Sequence, residues 1–479
     1  MSGWAGLVPA TSLPSAGLLA AGAVGALAVI AVLALLLRRN EELFPLIAVF
    51  VLPFRLPIST GGRTVNLLIP LYLLVAAGTL ALLLPELLAM RSGAGAAAAG
   101  PDGRAAQAPG AEAPTRLSWR SPSAWASPRG LGLLLLAAVA LYLVQGTYSA
   151  DHTKAAENIA FFYVPFGLLF LLLVRVRWTD ALLLRCLAIV VVLAVVFAGI
   201  GFVEYDRKTL FLNPKVVAAD QYDNYFRVNS LFFDPNIYGR FLALVMIAVS
   251  TMVLWSARRR DILAGAAVLA WLLLGLITSF SQSSIAALLL GLAVLAAWRW
   301  DVRSTVLASL GVLALAGALV LLAPASLHFG LKGSKGSTSN ATSGRTKLVE
   351  GGLHLFADRP LQGFGSGSFE TEYKRHASAS TANAENATSA SHTIPVTVAA
   401  EQGILGLALY VALLLVAFVV LFRGAGRSPP RMAIAACFAA LVLHTWAYAD
   451  FLEDPFTWAL LAIGAALARQ AATEPASSF

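Results

Sequence analysis

The sequence predicts an all-α integral membrane protein: a polytopic helical bundle of twelve or thirteen transmembrane helices, with a large external loop that contains short helices. Of its 479 residues, 58% are hydrophobic and only 12% are charged, which is too apolar for a soluble protein of this size. Several apolar runs reach about 20 residues, the length at which a helix crosses the roughly 30 Å hydrocarbon core. Because unpaired backbone groups are not tolerated in lipid, such long continuous runs are expected to be helical.

Thirteen apolar runs are candidate spans, and the second is short enough to be a half-span. They lie near 16–37, 43–58, 66–90, 130–148, 159–174, 181–203, 236–256, 262–279, 283–298, 304–323, 395–422, 431–447 and 456–469. The chain accordingly divides into N-terminal transmembrane helices (1–90), a cytoplasmic linker (91–129), a transmembrane core (130–323) with an external loop (204–235), a large external loop (324–394), C-terminal transmembrane helices (395–470) and a cytoplasmic tail (471–479). The linker is rich in Ala, Gly and Pro and cannot bury a core, so we expect it to be disordered.

The distribution of basic residues predicts the orientation of the bundle. More than half of the 34 Lys and Arg residues fall in the linker and in the short loops on the same side, which is therefore expected to be cytoplasmic. The remaining basic residues concentrate in two long external loops, 204–235 and 324–394. Long loops are translocated largely regardless of their charge, so their basicity has a separate reason, and an anionic ligand is one. Cys186 and Cys437 lie inside apolar runs and are interpreted as small core residues.

The first candidate site surrounds a helix start in the 204–240 region. Asp234 supplies an acceptor at the N-cap position, and Pro235 fits the first helical position. A helix N-terminus with free N–H groups suits a phosphate. For Asp234 and Asn236, simple capping is the favoured interpretation. For Arg227, just outside the membrane, ligand binding and a structural role are weighed evenly.

Two further polar features lie close to this helix start. Arg240 is about 6 Å deeper along the helix, where a charge needs a partner or a purpose. Glu401 lies at a similar depth in a later helix and is the predicted partner of Arg240. The alternative is that Arg240 extends outward to the interface and Glu401 bonds a neighbouring backbone group. The polar run Thr278–Ser284, which includes Gln282, interrupts two spans. It could line a cavity, but contacts between helices are the favoured interpretation.

The large external loop contains a predicted surface helix followed by a glycine-rich turn. From Arg345 to Ala357 the apolar residues have helical spacing, which predicts a short amphipathic helix on the external surface. The sequence Asp358-Arg359-Pro360 ends it. Gly363 and Gly365 then allow a tight turn with exposed N–H groups. No strand precedes these glycines, so a dinucleotide site is not expected.

A histidine just outside the next helix is the candidate base. Thr393 is a potential N-cap and Pro395 fits the first helical turn, which positions His392 at the external interface. Histidine titrates near neutral pH and can accept a proton from a hydroxyl. The other five histidines have no comparable setting in the sequence. An external acidic cluster at Asp450, Glu453 and Asp454 leaves a metal-dependent transferase open as an alternative.

Four of these stretches together resemble the O-antigen ligase / polysaccharide polymerase family of bacterial membrane proteins. They recur in the order and spacing of the family and are Arg227–Gly239, Thr278–Gly291, Arg345–Phe369 and His392–Gly406. The family often has Ser-Arg where this chain has Ser281-Gln282, so one cation that could hold a phosphate is missing. The family also usually has Asn at the position of Thr393.

The resemblance implies a metal-independent inverting glycosyltransferase that needs no cofactor. It would move an oligo- or polysaccharide from a polyprenyl (undecaprenyl) diphosphate carrier to an acceptor hydroxyl, outside the bacterial cytoplasmic membrane. The expected partners are that lipid-linked glycan, a lipid or glycan acceptor and the bilayer, without nucleic acid. His392 is then the expected base, Arg345 and Arg227 the diphosphate-binding cations together with Arg240, and the supporting residues are Glu401, Asp234, Asn236, Gln282, Gly363 and Gly365.

Three other functions stay open at the level of the sequence. The same carrier could serve a polymerase that extends the glycan itself, or a relative that glycosylates proteins. A non-enzymatic transporter or flippase of lipid-linked glycans would instead show ionisable residues near the bilayer midplane and repeated halves with broken helices. The sequence has no clear internal repeat, and its ionisable residues gather at one external face.

Overall fold

The protein, a computed structural model, is described for residues 16–60, 63–91, 126–211, 226–307, 337–377, 391 and 393–473. The chain divides into two compact units, Met1–Ala111 and Glu112–Phe479. Ten helices within the described residues are long and apolar enough to cross a membrane. The predicted all-α, polytopic membrane architecture is confirmed. One small β-hairpin was not predicted.

The first unit holds three helical segments and the hairpin. Its elements are α1 (Ala16–Arg39), α2 (Leu43–Val51), β1 (Leu56–Thr60), β2 (Arg63–Leu67) and α3, which runs through Ile69–Gly78, a π-helical turn at Thr79–Leu83 and Leu84–Arg91. The two strands are antiparallel, with Leu56 opposite Leu67. The predicted span at 43–58 is therefore a short helix followed by a strand. Pro53 and Pro57 lack the N–H that a continuing helix needs, and Gly61-Gly62 is a pair typical of hairpin turns.

Eleven α-helices of the second unit have both bounds within the described residues. They are α4 (Pro128–Gly146), α5 (His152–Asn158, π-helical Ile159–Tyr163 and Val164–Leu173), α6 (Asp180–Arg207), α7 (Pro235–Trp255), α8 (Arg259–Thr278), α9 (Gln282–Arg299), α10 (Ser337–Asp358), α11 (Phe369–Ala377), α12 (Ile394–Phe422), α13 (Pro429–Ala447) and α14 (Pro455–Thr473). Several begin at a side-chain cap, as at Thr179, whose hydroxyl accepts from the N–H of Leu182.

Helix α7 lies at the centre of the second unit and packs against α6, α8, α9 and α13. Most of its residues are buried, including the charged Arg240. Gly239 allows α9 to approach closely, because a Cβ there would lie 2.7 Å from the hydroxyl of Ser284. The tight packing brings polar groups from α7, α9 and α13 within hydrogen-bonding distance of one another.

The helices of the second unit bring parts of the first three matching stretches to one end, here termed the motif face, and Glu401 of the fourth stretch is hydrogen-bonded to it. The motif face comprises 146–152, 226–235, 278–282, 358–369 and 447–455. Backbone hydrogen bonds join these segments, from the N–H of Ala150 to the carbonyl of Phe364 (3.2 Å) and from the N–H of Val228 to the carbonyl of Thr278 (3.2 Å). The polar stretches of the sequence thus share one surface although they are far apart in the chain.

The opposite end, here termed the basic face, comprises 174–180, 255–260, 299–303, 422–431 and 469–473. It carries many of the arginines on which the predicted cytoplasmic side rests. There Arg469 donates to the carbonyl of Val174 (2.6 Å), and Arg431 donates to that of Arg423 (2.7 Å). The predicted span at 304–323 lies outside the described residues beyond 307, as do 92–125 of the predicted linker.

Candidate active site

The start of α7 has the predicted capping geometry. A carboxylate oxygen of Asp234 accepts the N–H of Asn236 at 2.6 Å, and Pro235 occupies the first turn. Desolvation of Tyr448, and then the nearby carboxylates of Asp234 and Asp450, hold the pKa of the Tyr448 hydroxyl well above its ordinary value. The hydroxyl therefore keeps its proton and serves as a donor to Asp234, which links the end of α13 to the start of α7.

The side chain of Asn236 has a role beyond the helix start, because it joins α7 to two segments of the motif face. Its Oδ1 accepts from Arg227 Nη2 (3.2 Å) and from Ser281 Oγ (3.0 Å). The Nε of Arg227 donates in addition to the carbonyl of Ser279 (3.2 Å). Two nitrogens of the Arg227 guanidinium, Nε and Nη2, are thus held in place next to the start of α7.

The serines of the 278–284 stretch continue this network into α13. Ser284 Oγ lies 2.7 Å from Ser281 Oγ and donates to the backbone carbonyl of Asn236 at 3.2 Å. The Nε2 of His444 lies 3.1 Å from Ser284 Oγ and 3.2 Å from Ser283 Oγ. These bonds connect α7, α9 and α13, which agrees with the predicted role of the serines in helix contacts. Gln282 is exposed at the start of α9.

The predicted pairing of Arg240 with Glu401 is wrong. Arg240 Nη2 lies 2.7 Å from a carboxylate oxygen of Asp454, and the two side chains are 2% and 1% exposed. Arg240 Nη1 donates further to the carbonyl of Ala449 (3.4 Å). The pairing was inferred from equal depth in two helices, and depth alone does not specify on which side of its helix a residue lies.

Glu401 instead anchors the glycine segment of the large loop. Its carboxylate accepts the N–H of Gly367 at 2.8 Å and the N–H of Phe369 at 3.0 Å. Phe369 is the first residue of α11, so the carboxylate caps the N-terminus of that helix. A buried side chain of the protein therefore occupies the position at which an external anion could have been bound.

A break in α12 provides further acceptors for the same segment. Gly403 has φ 63° and ψ −161°, so the helix is interrupted there. The carbonyl of Ala400 accepts the N–H of Phe364 (3.2 Å), and the carbonyl of Glu401 accepts that of Gly365 (2.8 Å). The glycine turn was expected to expose its N–H groups, and this is corrected here, since the turn uses them to hold α12.

The glycines are required by close backbone contacts. Gly363 has φ 67°, and a Cβ there would collide with the carbonyl of Glu401. Gly365 has φ 93°, and a Cβ there would collide with the backbone of Ser149. The two glycines therefore shape the joint between the loop and the transmembrane helices.

The end of α4 completes this joint through residues that the sequence did not single out. Gln145 Nε2 donates to the carbonyl of Gln402 (3.2 Å), and the Tyr148 hydroxyl donates to that of Gln362 (2.8 Å). Ser149 Oγ donates to the carbonyl of Ser366 (2.8 Å). Side chains that bind backbone carbonyls leave no sequence pattern, so these partners could be found only from the structure.

The predicted amphipathic helix is present as α10, but its apolar face contacts protein. Leu348 and Leu355 are 3% and 1% exposed and belong to a cluster with Phe364, Phe369, Tyr373 and Ala400. Leu353, which was expected on the apolar face, is 52% exposed. The backbone of Arg345 lies in α10, one turn before Leu348, and its side chain lies outside what the structure describes.

His392 lies outside the described residues, although its two neighbours are described. The N–H of Ser391 donates to Thr397 Oγ1 (3.0 Å), and Ser391 Oγ donates to the carbonyl of Thr393 (2.8 Å). Thr393 occupies the N-cap position of α12, but its side chain makes no capping hydrogen bond. Thr397 and Ser391 thus fix the chain before the helix, where Thr393 was expected to do so.

A cavity of about 70 Å³ runs beside α12 from its first residue. One stripe of α12 lines it, from Ile394 past Glu401 to Leu413, and the opposite wall includes Tyr142 and Glu453. Its outer end is polar, whereas its deeper lining is mostly apolar. The cavity therefore begins within two residues of position 392.

The external acidic residues do not act as one cluster. Asp454 pairs with Arg240, and Glu453 accepts from Asn158 Nδ2 at 3.0 Å. Within the part of the chain that the structure describes, no three His, Cys, Asp or Glu side chains converge in a way that could hold a metal ion.

Comparison with known proteins identifies one matching family model. Residues 267–411 match the family model described as O-antigen ligase. The chain carries an O-antigen ligase domain. A search of curated proteins finds no match. The matched stretch includes Ser281, Gln282 and Glu401 and the positions of Arg345 and His392.

The matched stretch does not contain all of the site. Arg227 and Asn236 precede it, and His444 and Asp454 follow it, yet all four belong to the network at the motif face. His444 was not singled out in the sequence because it lacks the setting of His392 just outside a helix start. A histidine inside a transmembrane helix is costly and usually functional, and that signal was available.

Proposed function

We propose that this protein transfers an oligo- or polysaccharide from a polyprenyl (undecaprenyl) diphosphate carrier to an acceptor hydroxyl on the external face of the bacterial cytoplasmic membrane. One observation carries the proposal. Residues more than 200 positions apart in the sequence, such as Ser149 and Ser366, are hydrogen-bonded at the same end of the membrane bundle as Arg227, and the bundle contains an O-antigen ligase domain.

The diphosphate is the leaving group, and it needs cations to take up its developing negative charge. Arg227 suits this task because its guanidinium is held at the start of α7, where helix N–H groups add a partial positive charge. Arg345, on α10, is the second cation. Arg240 is already matched by Asp454, so we assign it the role of holding the 449–450 backbone against α7.

His392 is the proposed base. It accepts the proton of the acceptor hydroxyl while the hydroxyl oxygen forms a bond to the anomeric carbon of the sugar. The bond from that carbon to the diphosphate oxygen breaks, and its electron pair leaves with the diphosphate. Attack from the side opposite the leaving group inverts the anomeric centre. The apolar outer surfaces of the spanning helices suit the polyprenyl chain of the carrier.

Incubation of the purified protein in lipid nanodiscs with an undecaprenyl-diphosphate glycan and a hydroxyl acceptor tests the proposal. A single larger conjugate identifies a ligase, and a ladder of products identifies a polymerase. If the wild type releases no diphosphate and forms no product, the proposal is wrong and transport is favoured. Activity that persists with a chelator in excess supports the metal-independent reaction proposed here.

His392→Ala and Arg345→Ala should each abolish transfer, because one removes the base and the other a cation on the leaving group. General bases contribute roughly 100- to 10,000-fold in rate, and a loss in that range is expected for His392→Ala. Product formation per mole of inserted protein is the measurement. Arg303→Ala, an exposed change at the basic face, is the matched control. Normal activity in either variant would refute the role given to that residue.

A further inference from the structure

His444 is the buried group that the proposed reaction leaves unexplained. It lies in α13, is 0% exposed, and approaches the hydroxyls of Ser283 and Ser284 through Nε2. Its Nδ1 is buried and has no hydrogen-bond partner among the described residues. A polar ring at this depth in a transmembrane bundle is costly, so its retention calls for a reason.

The hydrogen-bond network determines which ring nitrogen carries the proton. A proton on Nδ1 would be a buried donor without an acceptor, which is rarer and costlier than an unfilled acceptor. The proton is therefore assigned to Nε2, which donates to Ser284 Oγ. Ser284 can then donate to the carbonyl of Asn236, and Ser281 to Asn236 Oδ1.

In this arrangement the hydroxyl protons of Ser281 and Ser284 both point toward Asn236. Its Oδ1 receives one proton from Ser281 and one from Arg227, which fills both of its lone pairs. The amide is therefore turned with its oxygen toward Arg227. Without the donor at Nε2, Ser281 and Ser284 can rotate and bond each other, and Asn236 loses the contact that fixes its oxygen.

We propose that His444 is a positioning residue for Arg227. It acts through Ser284 and Asn236. By donating from Nε2, it sets the donor-to-acceptor direction of the chain of hydrogen bonds, here termed the relay, that ends at the guanidinium of Arg227. The inference rests on the proposed function, in which Arg227 binds the diphosphate. It assigns His444 to substrate binding at a distance, without contact to the sugar or to the diphosphate.

The test is a double-mutant cycle on binding of undecaprenyl diphosphate, the carrier without its glycan, to the full chain in nanodiscs. His444→Leu should raise the dissociation constant about tenfold, the effect of losing one hydrogen bond that supports a charged group. His444→Gln places an amide donor near the position of Nε2 and should stay within about threefold of the wild type. In the Arg227→Ala background, His444→Leu should add no further loss.

Two further variants keep the test decisive. Thr445→Val is the matched control, because Thr445 is equally buried in α13 but donates only to the carbonyl of Val442 in its own helix. Ser284→Ala adds no volume and removes the hydroxyl that links His444 to Asn236. It should therefore weaken binding of the carrier as much as His444→Leu does. If the leucine variant does not fold, the alanine variant provides the test.

The inference is overturned if His444→Leu and Ser284→Ala bind like the wild type. It is overturned equally if His444→Leu weakens binding as strongly without Arg227, or if glutamine fails to rescue. These outcomes are separate from failure of the proposed function. A wild type that binds the carrier but transfers no glycan refutes the transfer reaction alone, whereas a wild type that binds no carrier refutes both.

Discussion

The Arg240–Asp454 ion pair is the residue-scale feature on which the start of α7 depends. Both side chains are almost fully buried, and their N–O distance is 2.7 Å. Removing both charges from water is costly, so the pair contributes little net stability as a pair. Removing one partner is different, because the other is then left as an uncompensated buried charge. Asp454 also accepts the N–H of Phe456 (3.0 Å), so its oxygen caps α14.

Arg240→Met should destabilise the protein by about 3–5 kcal/mol, the usual cost of breaking a buried pair. The double variant Arg240→Met/Asp454→Asn should recover most of that loss, because asparagine removes the charge and keeps the capping oxygen. Thermal unfolding in detergent measures both effects. Arg303→Ala, which changes an exposed arginine, provides the baseline. A single variant as stable as this control would contradict the requirement for the pair.

Sequence reasoning at this scale succeeds where the cause is local. The cap at Asp234 depends on residues within two positions of one another, and the structure confirms it. The partner of Arg240 depends on how α7 and the segment before α14 rotate against each other, which no local pattern records. The same holds for the bond between Ser284 and His444, which are 160 positions apart.

At the scale of elements, the break in α12 is what couples the large loop to the membrane bundle. A straight helix would have used the carbonyls of Ala400 and Glu401 internally. The interruption at Gly403 makes them available to Phe364 and Gly365, and the N–H of Ile404 donates in return to the carbonyl of Pro360 (2.7 Å). Broken transmembrane helices are tolerated where protein groups satisfy the released backbone, as they do here.

Gly403→Ala should detach the glycine segment from α12. The backbone conformation of Gly403 is essentially restricted to glycine, at a cost of about 1–3 kcal/mol for other residues, and a Cβ there would collide with the carbonyl of Leu361. Hydrogen exchange at the amides of Phe364 and Gly365 should become faster, and transfer should be lost. Gly167→Ala, at a helical glycine with open space around it, is the control. Unchanged protection of both amides would argue against this coupling.

The elements themselves were predictable where hydrophobicity alone decides them. Long apolar runs such as α6 and α12 appear as helices close to their predicted bounds. The span expected at 43–58 is a short helix followed by a strand. Over so short a run, prolines and a glycine pair interrupt the helix even though the run is apolar. The kink at Gly403 gave no signal, since an isolated glycine is tolerated in a helical pattern.

At the scale of the whole molecule, the proposed function depends on the motif face and the basic face lying at opposite ends of the second unit. The motif face holds the hydrogen-bonded segments around Arg227 and Glu401, and the basic face holds the arginine-rich loops. The charge rule predicts that the basic face is cytoplasmic. A polyprenyl-diphosphate glycan presented outside the membrane can reach the proposed site only if the motif face is external.

Cysteine labelling tests this orientation directly. The wild type offers a clean background, because its two free cysteines, Cys186 and Cys437, are buried and should not react. Leu361→Cys introduces a thiol at an exposed position of the motif face, and Trp300→Cys introduces one at the basic face, where the native side chains are 67% and 64% exposed. A membrane-impermeant maleimide should label Leu361→Cys in intact spheroplasts and Trp300→Cys only after permeabilisation. The reverse pattern would put Arg227 and the glycine segment in the cytoplasm, away from any externally presented glycan, and the proposed external transfer could not stand.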